Sequence, residues 1–239
     1  MGVADERVRP DGLLISVAEQ LKIPLTAIAR QAELGQLTGQ TDLADVVVIR
    51  THADTALTLV DSYMLGLELH YAQTQLELEP ISLASVTTDV AHDLERFAAQ
   101  YNVQLEVEVG GKYGPVMSNG RGLKAALLSL GFALVEAQAQ QDARGPKRVV
   151  LATHRTPQGV ITGVYGQYAA LDASRWRTAL ALYGQARQPL AVLSGGSGAG
   201  LFVADAILAS MESRLRVGRY RHQSGLAATF RPSQQLSIV

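Results

Sequence analysis

Few residues in this chain are of a type and spacing that chemistry can use. The run Ser194-Gly195-Gly196-Ser197-Gly198-Ala199-Gly200 leads into an apolar helical stretch, Leu201 to Met211. A glycine-rich loop at a helix start suits phosphate, because backbone N–H groups and the helix dipole both favour an anion. Gly196, Gly198 and Gly200 are therefore candidate phosphate contacts, weak as a lone signal because the lysine of a P-loop is absent. The competing reading is a structural turn with close backbone packing. A second candidate is Glu19, one turn before Pro24 and three residues before Lys22, a spacing that suits an ion pair on a helix surface. His52, His70, His92, His154 and His222 are scattered. None pairs with Asp, Glu or His at metal-ligand spacing, so no metal site is expected. With no cysteine among 239 residues there is no thiolate chemistry and no disulfide, which suits a reducing cytoplasm.

These residues are carried by helices at one end of the chain and by mixed elements at the other. Leu14, Ala18, Leu21, Leu25, Ile28 and Ala32 repeat at fours and threes, a heptad seam, with Glu19, Lys22, Thr26, Arg30 and Glu33 on the opposite face. Pro24 inside that helix costs about 3 kcal/mol or more, so packing or function must compensate. Gly35 to Thr41 reads as a turn, with Gly39 as helix stop and Thr41 or Asp42 as the next N-cap. A second seam follows at Val46, Ile49, Ala53, Leu57, Val60, Met64, Leu67 and Tyr71. Such a hairpin cannot cover its own apolar stripe, and pairing with a second copy into a four-helix bundle is the economical solution, so a homodimer is expected. A polar run, Gln73 to Pro80, then reads as a connection, dividing the chain into residues 1–76 and 77–239. Beyond it we expect a helix capped by Ser82, a strand over Val103 to Val109, a helix capped by Asn119 and strands over Arg148 to His154 and Val160 to Tyr165. A helix opened by Asp172 or Ser174 runs toward Gly184, the Leu201 to Met211 helix follows, and two strands, Leu215 to Tyr220 and Gly225 to Arg231, close the chain. The fold class is α+β: an N-terminal antiparallel helical hairpin followed by an α/β sandwich with helices on one face of a mixed sheet.

The stretch Glu19-Gln20-Leu21-Lys22-Ile23-Pro24-Leu25 resembles the phosphoacceptor segment of sensor histidine kinases, whose pattern is His-Glu-Leu-Arg-Thr-Pro-Leu. The order of elements resembles the whole catalytic core of that family, the hairpin plus a GHKL-type ATP-binding domain, from about Leu13 onward. Gly196-Ser197-Gly198-Ala199-Gly200-Leu201 looks like its second glycine box. The resemblance implies that Glu19 stands where the phosphorylated histidine would be, and a glutamate offers no phosphohistidine route. It places Ser129 and Ala133 at the asparagine positions, Glu136 where a lysine is frequent, and Gly166-Gln167-Tyr168 at the Asp-x-Gly-x-Gly box. The Ala133 side chain has no oxygen for magnesium. Unpaired buried ligand groups cost about 1–3 kcal/mol each, so ATP affinity is expected to fall by on the order of 100-fold or more, with no cofactor bound or ATP and magnesium bound weakly. Tyr183 would be the remnant of the aromatic that anchors the ATP lid, and Trp176 a core residue.

Three readings follow. The first is a degenerate, catalytically impaired member: a dimeric scaffold or regulator in two-component signalling whose face around Glu19, Lys22 and Ile23 docks a response-regulator receiver domain or a partner histidine kinase. The second is an active, divergent histidine kinase. The third is an ATP-independent histidine phosphotransferase, with His52 as acceptor. A formal net charge of −1, with the basic residues read as spread along the chain, gives no support to nucleic-acid binding. The polar start lacks a signal-peptide core, and the longest uncharged apolar run, Ala125 to Val135, is too short to span a bilayer.

Overall fold

The computed structural model describes residues 10–38, 43–72, 75–141, 145–168, 171–181 and 199–233. Two long helices, α1 (Pro10–Thr38) and α2 (Leu43–Ala72), fold against each other and are tied near their connection by Gln31 Nε2 donating to Asp45 Oδ1 at 2.6 Å. The turn expected from Gly35 is overturned, because α1 continues through a buried Gly35 to Thr38, whose hydroxyl donates to Leu34 O at 2.9 Å. A glycine there serves close packing inside a helix and does not end it. Gly39, Thr41 and Asp42 lie outside the described residues. Helix α1 also runs through Pro24, which is buried, so packing is available to offset the lost backbone donor.

The second half begins with β1 (Glu79–Ile81), antiparallel to β3 (Val116–Ser118) in a two-stranded ribbon. Three residues each, one of them Pro80, leave no alternation for a sequence reading to detect. Between them lie α3 (Leu83–Gln100), capped by Ser82 Oγ accepting from Ser85 N, and β2 (Gln104–Gly110). Helix α4 (Gly120–Ala139) follows, capped by Asn119, then β4 (Arg148–Thr156), β5 (Gly159–Gly166), α5 (Ala173–Ala181), α6 (Ala199–Ala209), β6 (Arg216–Tyr220) and β7 (Gln223–Phe230). Asp172 Oδ1 caps α5 by accepting from Ser174 N and Arg175 N. The main sheet runs β2-β4-β5-β7-β6, parallel only between β2 and β4. Gly225 permits the close approach of β7 to β5, since a Cβ there would stand 2.1 Å from Val164 O.

Helices α3, α4 and α6 cover one face of the sheet with a core that includes Leu94, Phe97, Leu123, Leu130, Leu134, Val164 and Ile207. Within it Thr87, Thr153 and Thr162 join hydroxyls across α3, β4 and β5 at 2.9 and 3.3 Å, satisfying polar groups that would be costly alone. The core extends without a break into α2 through Leu59, Tyr63 and Leu69. Among the described residues α4 is long and apolar enough to cross a membrane, and 78% of the window is buried inside the fold, as in a core helix.

The hairpin seams divide in a way that the heptad reading did not separate. In α1, Val17 and Leu21 pack on the core, whereas Ala18, Leu25 and Ala32, seven residues apart, are exposed. In α2, Thr51, Thr55, Leu59, Tyr63, Gly66 and Leu69 are buried, while the seam residues Val46, Leu57, Met64 and Tyr71 stand 50%, 64%, 65% and 56% exposed. The inward line is rich in Thr, Gly and Tyr, so a hydrophobic period does not find it.

Candidate functional site

The residues that the resemblance places at nucleotide boxes meet where the C-terminal half of α4 crosses the end of β5. Tyr168 is 1% exposed, and its hydroxyl donates to Leu134 O at 2.7 Å. Gln138 Oε1 accepts from Gln167 N at 2.9 Å. A Cβ on Gly166 would stand 2.7 Å from that oxygen and 2.8 Å from the Tyr168 ring, so glycine is required for this packing. Burial holds the Tyr168 phenol well above its ordinary range, as an un-ionised donor. The end of β5 is thus filled by the chain's own tyrosine and glutamine.

On α4 itself, Ser129 is 0% and Glu136 4% exposed, while Ala133 is half-buried. Burial raises the Glu136 carboxyl to about 7, because the charged form loses its hydration. Tyr101 at the end of α3 is close enough for this carboxyl to help raise its phenol. Ser129 Oγ, Glu136 Oε2 and Gln138 Nε2 are buried without a hydrogen-bond partner among the described residues. This donor set does not fit a magnesium nucleotide. Ala133 brings no side-chain oxygen, Glu136 brings negative charge when ionised, and the end of β5, where the resemblance would put an adenine-binding acid, holds packed side chains.

The other predicted residues are dispersed. Glu19 is helical within α1, with a side chain outside the described set, whereas Lys22 is exposed and Ile23 half-buried. Gly200 is buried in the first turn of α6, while Gly196, Gly198 and Tyr183 lie outside the described residues. Trp176 packs into the core, its Nε1 donating to Leu215 O at 3.1 Å. His52 is half-buried, and burial lowers its pKa. His70 packs edge-on against Phe202 at 5.2 Å. His154 lies 5.1 Å from the Tyr220 ring, which also covers Tyr165 on the sheet face away from the helices.

One feature was missed by sequence reasoning. A cleft of about 460 Å³ between α2, α3 and α4 is bordered by Asp54, Asp61, His92, Asp93 and Arg96, with Phe132 among its apolar walls. Asp93 is engaged by Lys124 at 2.8 Å and Asp54 by Arg50 at 3.7 Å. The cleft joins residues distant in sequence, so no local motif announces it.

No family model matches this sequence, and no curated protein does. Solved structures do match it in fold. The chain superposes on the Acinetobacter baumannii histidine kinase AdeS at 14% identity, with a TM-score of 0.52, over 90% of this chain and 98% of that one. Full-length ShkA, solved with AMPPNP, matches at 18% identity and TM-score 0.55, over 95% of this chain and 47% of its own. Histidine kinase ThkA, solved in complex with the response regulator TrrA, matches at 12% identity and TM-score 0.54, over 94% of this chain and 62% of its own. The chain spans about half the length of ShkA. It has the fold of a histidine-kinase catalytic core, with hairpin and GHKL-like sandwich together.

Proposed function

Starting from that fold, we propose that this chain is a catalytically impaired histidine-kinase-like protein that acts as a dimeric scaffold or regulator in two-component signalling. The observation that carries the reading is the packing at the end of β5, where Tyr168 and Gln138 bond to Leu134 O and Gln167 N in place of the adenine-binding acid. With Ala133 on α4 and Glu19 on α1, the donor and acceptor sites both lack the groups that phosphoryl transfer uses. ATP with magnesium is bound weakly or not at all.

Residues 1–76 form the dimerisation unit, and residues 77–239 the degenerate ATP-binding unit. Support for a homodimer comes from the exposed seam of Leu25, Val46, Leu57, Met64 and Tyr71, an apolar stripe of the kind that marks an interface. The exposed Lys22 and half-buried Ile23, with Glu19, are the docking face for a response-regulator receiver domain or a partner histidine kinase. The ThkA complex with TrrA makes a receiver domain the first partner to test.

Titration calorimetry of the full chain with ATP and magnesium tests the proposal. The expected result is no saturation at micromolar nucleotide. Micromolar binding, or transfer of radiolabel from ATP to the protein, would establish the active divergent kinase instead. Relay of phosphate from another kinase through His52, lost in His52→Ala, would establish the phosphotransferase.

A further inference from the structure

The near-zero net charge conceals a segregation. Residues 143–239 hold 12 Lys and Arg against 3 Asp and Glu, whereas residues 1–142 hold 9 against 19. The basic residues are therefore not spread along the chain, as the composition alone suggested. The structure brings part of this excess to one place, the edge strand β6, whose only neighbour in the main sheet among the described residues is β7.

The backbone of that edge is open. The β6–β7 hairpin turns on Arg221-His222, with Tyr220 opposite Gln223 and Arg221 at φ 51°. In a two-residue hairpin the flanking pair exchanges hydrogen bonds, and alternate pairs do so along the ladder. Gly218 opposite Gly225 and Arg216 opposite Ala227 therefore face β7, while Val217 and Arg219 turn N–H and C=O outward. Among the described residues none bonds to those groups.

Side chains flank this free ladder on both sides. Ala227, opposite Arg216, belongs to the outer-face cluster with Tyr165, so Arg216 lies on that face. Arg219 shares the other face with Val217, which packs on the helix-side core. Both arginines are exposed, and neither has a carboxylate partner among the described residues. Their neighbours are already engaged, Arg214 with Asp205 at 3.3 Å and Arg221 with Glu108 at 2.6 Å.

A single charge suffices to keep an edge strand from pairing with its own kind. Two unpaired guanidinium groups, one on each face of an open backbone ladder, also select what can pair there. We infer that β6 is a docking edge for an extended acidic segment of a partner protein, which adds beside it as a sixth strand and brings carboxylates three residues apart to Arg216 and Arg219. Main-chain bonds to Val217 and Arg219 fix the register, and guanidinium–carboxylate pairs supply the choice of an acidic sequence.

The test uses the full chain and a fluorescein-labelled, amidated peptide, Thr-Glu-Val-Thr-Glu-Val-Thr, read by fluorescence anisotropy. Saturable binding is expected, weakened roughly tenfold or more by Arg216→Glu with Arg219→Glu and by a peptide carrying Gln for Glu. If the double Glu variant melts at a lower temperature than the parent, Arg216→Gln with Arg219→Gln replaces it. Peptides N-methylated at alternate residues, in each of the two phases, read the backbone contribution, and one phase is expected to abolish binding. No saturation by about 1 mM peptide overturns the proposal. Equal binding of both methylated peptides overturns strand addition, leaving simple charge adsorption. Tighter binding of an oligothymidylate of about 20 nucleotides, lost in the same variants, assigns the surface to nucleic acid instead.

Discussion

Along α2, Leu59 and Tyr63 are each 2% exposed, and Gly66 sits so close to α6 that a Cβ there would stand 2.9 Å from the Val203 side chain. On the same helix Leu57 and Met64 are 64% and 65% exposed. The inner line belongs to the core that continues through α4 and α6 into the sheet, and its burial is worth about 1.5–3 kcal/mol for each large side chain. The outer line gains nothing in the single chain. The sandwich is therefore packed through the end of β5, where Tyr168 and Gln138 are bonded, while the hairpin remains exposed along one line.

That contrast is broken or sharpened by four variants, compared by urea unfolding unless another measurement is named. Leu59→Ala deletes a side chain at the junction of hairpin and sandwich and is expected to cost about 2–5 kcal/mol. A cost below about 1 kcal/mol would mean that the hairpin does not share the sandwich core.

Glu136→Gln addresses the closed side through pH. The native carboxyl is raised to about 7 from 4.5, so the folded state holds its proton more tightly than the unfolded state does. Its destabilising effect is absent below pH 4.5, grows as pH rises from there to 7, and is constant above, about 3 kcal/mol in all. Stability of the parent should fall between pH 5 and pH 8, and the slope should be largely lost in Glu136→Gln. Equal slopes for the two proteins would show that this carboxyl is hydrated in solution.

Tyr168→Phe removes the buried hydroxyl from Leu134 O and should cost about 1–3 kcal/mol, because the carbonyl is left without that donor. Calorimetry on the same variant should still show no nucleotide binding, since the ring continues to fill the space. Leu57→Glu combined with Met64→Glu tests the open side. The protomer should change by no more than about 0.5 kcal/mol, while sedimentation equilibrium should show a monomer for the variant and a dimer for the parent. A parent that is monomeric at micromolar concentration would leave the exposed seam without its proposed role.

How far the sequence could be read differs between these regions for physical reasons. The caps at Ser82, Asn119 and Asp172 announce α3, α4 and α5 because a side-chain oxygen is required within one turn of each start. Strand β2 follows from the alternation of Gln104-Leu105-Glu106-Val107-Glu108-Val109, which β1 and β3 are too short to show. Gly35 reads as the start of a turn because glycine is a poor helix former, yet here it is buried within α1. The inner face of α2 was illegible because Thr51, Thr55, Ser62 and Gly66 carry no hydrophobic signal, although small residues let helices approach closely. The basic edge was missed for a different reason, since net charge sums over a chain whose two parts nearly cancel.

The sequence by itself determined the order of the helices and the longer strands, the heptad content of the two N-terminal helices, and that Glu19 carries no imidazole and Ala133 no side-chain oxygen, since these are matters of residue type alone. Tertiary structure decided what surrounds those positions. It set Tyr168 and Gln138 into the end of β5, left one line of each N-terminal helix against the core and another exposed, and placed Arg216 and Arg219 on opposite faces of one edge strand. Residue type fixes what a side chain can do. Which neighbours lie within a few ångströms depends on contacts between segments far apart in the chain, and no local pattern encodes those.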